Sequence, residues 1–71
     1  MNQSVGIRER LAAEDPDFRR LARKHREYDD RLQDLQSRKF LTDEEKIEVV
    51  NLKKLKLALK DQMEEIVRRA S

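Results

Sequence analysis

The sequence predicts an all-α fold: a coiled-coil-like antiparallel helical hairpin with a short helix or arm before it. Three observations carry this expectation. Charged residues make up 45% of the 71-residue chain and hydrophobic residues 37%, with one Gly and one Pro, a mix that suits long exposed helices. Apolar residues recur at alternating steps of three and four along two long segments, the spacing of a helical seam. The link between those segments is short and ends in helix-start chemistry, which folds the second segment back on the first.

The elements follow in order. Residues 1–14 hold Val5, Ile7, Leu11 and Ala12 at weak helical spacing, and the residue before a proline is pushed out of the α region. A short separate helix or frayed arm is therefore expected there. The first long helix is expected over 16–38. Asp15 caps it, Pro16 takes the first helical position, where its missing N–H costs nothing, and Asp17 complements the helix dipole. Its seam is Phe18, Leu21, His25, Tyr28, Leu32 and Leu35. Thr42-Asp43-Glu44-Glu45 reads as a capping box and opens a second helix over 43–69. The seam there is Val49, Leu52, Lys56, Leu59, Met63, Ile66 and Ala70, widened by Leu55 and Val67.

With the bend near Phe40, Phe18 is expected opposite Met63, Leu32 opposite Val49, and Tyr28 near Leu52 and Leu55. His25 then meets Lys56. This pair reads as a polar layer fixing the register, or as a switch that would change helicity or oligomeric state between about pH 5 and 7. Val50 and Leu57 lie off the seam and seven residues apart. The second helix thus has more apolar surface than one partner can cover, and chains this short are marginal alone. The expectation is a homo-oligomer, most simply a dimer forming a four-helix bundle through Val50 and Leu57.

Catalysis is not expected. The chain has no Cys and one His, which removes disulfides, thiolate metal sites and any multi-histidine site within one chain. No cofactor is implied, since no phosphate loop, nucleophile elbow or metal-ligand cluster is present. Apolar runs are too short to span a membrane, and the opening residues lack a signal peptide's pattern, so a cytoplasmic setting is expected.

Net charge is only +2, but its placement is uneven. Arg19, Arg20, Arg23, Lys24 and Arg26 form one run without an acid, and Lys53, Lys54, Lys56 and Lys60 form another. Side by side, they would make a basic band. The leading expectation is an interaction module with an unidentified protein partner or its own copy; the alternative is an accessory protein whose band binds nucleic acid or an anionic surface.

Two stretches carry a resemblance. Leu11-Ala12-Ala13-Glu14-Asp15-Pro16-Asp17-Phe18-Arg19-Arg20-Leu21, followed by His25 and Asp29, is similar to the first half of the YdcH-like family of small bacterial proteins. Leu52-Lys53-Lys54-Leu55-Lys56-Leu57-Ala58-Leu59-Lys60-Asp61-Gln62 resembles its second-half signature, with Leu55 where a charged residue is expected. The resemblance covers nearly the whole chain. It implies a helical hairpin or coiled coil in a bacterial cytoplasm and assigns no activity; His25, Lys53, Lys54, Lys56, Lys60 and Asp61 fall on motif positions without a role.

Overall fold

The computed structural model describes the backbone of residues 3–70 and the side chains of residues 6–70. Met1, Asn2, Ser71 and the expected apolar side chain of Val5 lie outside that description. Three helices follow one another: α1 (Gln3–Glu14), α2 (Pro16–Gln36) and α3 (Asp43–Ala70). No strand occurs among the described residues.

Local chemistry sets the helix boundaries. At the start of α2 the Asp15 carboxylate accepts the backbone N–H of Asp17 at 2.9 Å and of Phe18 at 3.1 Å, satisfying two donors that the first turn leaves open. Asp15 itself is extended, with φ −104° and ψ 109°, so α1 and α2 are two helices and not one rod. At the start of α3 both bonds of the capping box form: the Thr42 N–H donates to Glu45 Oε1 at 2.9 Å, and the Glu45 N–H donates to Thr42 Oγ1 at 3.1 Å. Helix α2 ends at Gln36, two residues short of the expected 38. The Ser37 hydroxyl donates to the Asp34 carbonyl at 2.8 Å and the Ser37 N–H to that of Gln33 at 3.0 Å, closing the last turn there.

Helices α2 and α3 pack antiparallel. Three ion pairs cross between them or span the turn: Arg31 with Glu48, Asp29 with Lys56, and Arg38 with Glu45. As the α2 number falls, the α3 number rises. The molecule is elongated, 43 × 20 × 18 Å, and α1 packs on both long helices.

The core is narrow. Phe18, Leu32, Leu35, Leu52 and Leu59 are buried, with Leu35 fully so. Leu32, Leu35 and Leu52 form one cluster, with Tyr28, Leu41 and Val49 packed against it. Leu21, Tyr28, Val49, Met63 and Ile66 are only half-buried, as expected when a seam has a single covering helix. Leu55 corrects the sequence reading: it is 45% exposed and is no core residue. At about 100° per residue it lies roughly 40–60° off the line of Leu52 and Leu59, at an edge that α2 does not reach.

Candidate functional site

The polar layer expected between His25 and Lys56 is not what the hairpin builds. Lys56 Nζ donates to Asp29 Oδ1 at 2.5 Å, one helical turn beyond His25. The lysine stem can lean along the seam and deliver its ammonium to the nearest carboxylate, and Asp29 offers one where histidine does not. The Lys56 hydrogen bond and charge hold the Asp29 carboxyl below its ordinary range, against a smaller opposing effect of desolvation, and His25 adds to the lowering.

On the other flank, the Arg31 guanidinium grips Glu48 through Nε at 2.7 Å and Nη2 at 3.1 Å, the planar two-point geometry that lysine cannot offer. This hydrogen bonding holds the Glu48 carboxyl low and raises Arg31. Near the turn Arg38 bridges Asp34 and Glu45. Glu45 is also held low, first by the Thr42 backbone N–H and then by the Thr42 hydroxyl. Much of the acidic surface near the turn is therefore engaged within the chain.

The basic residues are differently placed. Arg19, Arg20, Arg23, Lys24, Arg26, Lys53, Lys54 and Lys60 are all exposed. Only Arg20 makes an ion pair among the described residues, with Asp17 at 2.7 Å. They do not form one stripe. Helical periodicity spreads the α2 group over roughly 160° of its solvent side, and it sets Lys54 about 100° from Lys53. Lys54 stands between Val50 and Leu57 on the outer face of α3.

That outer face is the clearest candidate surface. Ile47 is 61% exposed, Val50 51% and Leu57 59%. The three fall on one stripe, diametrically opposite Leu52 and Leu59. Val50 and Leu57 stand off the seam in the sequence; Ile47, three residues before Val50, carries the same spacing but is absent from the expectation above, as is Phe40, 83% exposed in the turn.

Residues 18–67 match the family described as a protein of unknown function (DUF465). The chain belongs to that family. The DUF465 match takes in nearly all of α2, the turn and nearly all of α3, and it agrees with the YdcH-like resemblance. No curated protein and no solved structure matches the chain. Among the described residues, DUF465 membership comes with no cluster of potential metal ligands and no helix long and apolar enough to cross a membrane. One shallow hollow lies between the α1–α2 junction and the end of α3, lined by Leu11, Asp15, Asp17, Ile66, Arg69 and Ala70. Its Asp15 carboxylate already caps α2.

Proposed function

We propose that this DUF465 protein is a non-catalytic helical interaction module that self-associates through α3, most simply as a dimer bringing four helices together. The supporting observation is the outer stripe of Ile47, Val50 and Leu57, each more than half exposed. Covering such a side chain contributes on the order of 1 kcal/mol or somewhat more, and a dimer covers the stripe twice. The cost of association is about 4–15 kcal/mol. The two are comparable, so the dimer is weak and a single charge in the stripe decides its fate.

The non-catalytic part rests on how candidate groups are used. Ser37 closes a helix end, Asp15 caps another, and His25 is half-buried one turn from an ion pair. A reducing, cytoplasmic setting suits a chain without Cys.

Sedimentation equilibrium tests the proposal. The wild type is expected to exceed its monomer mass of 8.5 kDa at high micromolar concentration, and Leu57→Asp to remain monomeric with unchanged helicity. A wild type that stays monomeric throughout contradicts it. A second reading, a polyanion-binding accessory protein, draws on the exposed basic residues that lack an internal partner. Binding of a labelled oligonucleotide with a steep salt slope would favour it; no binding at low salt ends it.

A further inference from the structure

We infer that, if the chain self-associates as proposed above, α3 pairs antiparallel with α3 of a second copy, with Lys54 of each facing Asp43 of the other. The seam on the outer face of α3 runs Asp43, Ile47, Val50, Lys54, Leu57 and Asp61, at alternating steps of four and three. All six are exposed. This is a second heptad seam, complete in spacing and unpartnered within the chain. The solvent side of α2 offers no match, because its outward positions beyond the first turn are charged or amide side chains.

Orientation follows from charge. In a parallel pair each seam residue meets its own copy, so Asp43, Lys54 and Asp61 would each face a like charge. An antiparallel pair centred on Leu52 sets Ile47 on Leu57, but it puts Val50 on Lys54 and Asp43 on Asp61. Shifting the centre to between Glu48 and Val49 sets Ile47 on Val50 twice and Lys54 on Asp43 twice. It also brings Leu57 level with the turn of the other copy, where Phe40 is 83% exposed. Of these arrangements only this one matches apolar with apolar and cation with anion. Lys46 and Lys53 of both copies then line one flank of the seam. They are exposed, where salt screens their repulsion.

The shape of the dimer follows as well. The outer seam is opposite the buried one, so the two α2 helices lie on the far sides. The result is a flat layer, α2–α3–α3–α2, and not a closed bundle, which would have to use the edge carrying Leu55.

A charge-swap cycle read by sedimentation tests the register. Lys54→Glu and Asp43→Lys should each weaken the dimer by about tenfold or more, because each leaves like charges facing. The double variant should recover to near wild type, since the pair is restored with its sign reversed. Circular dichroism confirms that each variant folds. Additive losses in the double variant overturn the register while the wild-type dimer stands; a monomeric wild type instead removes the reading beneath it. Disulfide trapping adds a check that leaves the charges in place, since the chain has no cysteine of its own. Mixed Ile47→Cys and Val50→Cys chains should cross-link to each other, and Leu57→Cys should not link to itself. A Leu57→Cys self-link would mean a parallel or re-registered pair and overturn the inference.

Discussion

At the scale of single residues, exposure separates side chains that look alike in the sequence. Leu35 is fully buried in the core cluster, whereas Leu55 is 45% exposed at its edge. Leu35→Ala should therefore cost about 2–5 kcal/mol, enough to unfold much of so small a domain. Leu55→Ala should cost well under half of that, and chemical denaturation of the two variants compares them directly. Asp15→Ala should cost roughly 0.5–2 kcal/mol by releasing the Asp17 and Phe18 amides, read by the same method. The caps were legible in the sequence because Asp-Pro and the Thr-x-x-Glu spacing have one dominant local use. The partner of Lys56 was not, because register places backbones while a long side chain chooses among neighbours within several ångströms. The Asp29 carboxylate, one turn from His25, takes the Lys56 ammonium.

At the scale of elements, the α2–α3 contact combines a narrow apolar seam with ion pairs on both flanks. Asp29, Glu45 and Glu48 are each held below their ordinary values of 3.8, 4.5 and 4.5. A carboxylate lowered in the folded state stabilises the fold above its ordinary value, and that contribution is lost as pH falls through the ordinary range to the lowered one. The helical signal should therefore decline on acidification below about pH 4.5. Asp29→Asn should flatten part of that decline, measured by circular dichroism against pH. These pairs are only half-buried and remain open to solvent screening, so they tune the contact more than they create it. The seams themselves were readable from steps of three and four. How completely each seam residue is covered was not, because one facing helix shields a line and leaves its borders wet.

At the scale of the whole molecule, α3 has two apolar lines on opposite sides, and α2 with α1 covers only one. The hairpin was legible from two stripes and a capped link. The second line was legible as a spacing, with Ile47 three residues before Val50 and Leu57 seven after it, but that this line faces outward follows only from the buried face of α3. The most direct measurement is an isotope-filtered nuclear Overhauser experiment on mixed labelled and unlabelled chains. Contacts between chains are predicted from the methyls of Ile47, Val50 and Leu57, with Leu52 and Leu59 showing contacts only within their own chain. Intermolecular signals at Leu52 and Leu59, or none anywhere at high concentration, would contradict a hairpin that closes on itself and associates through its outer face.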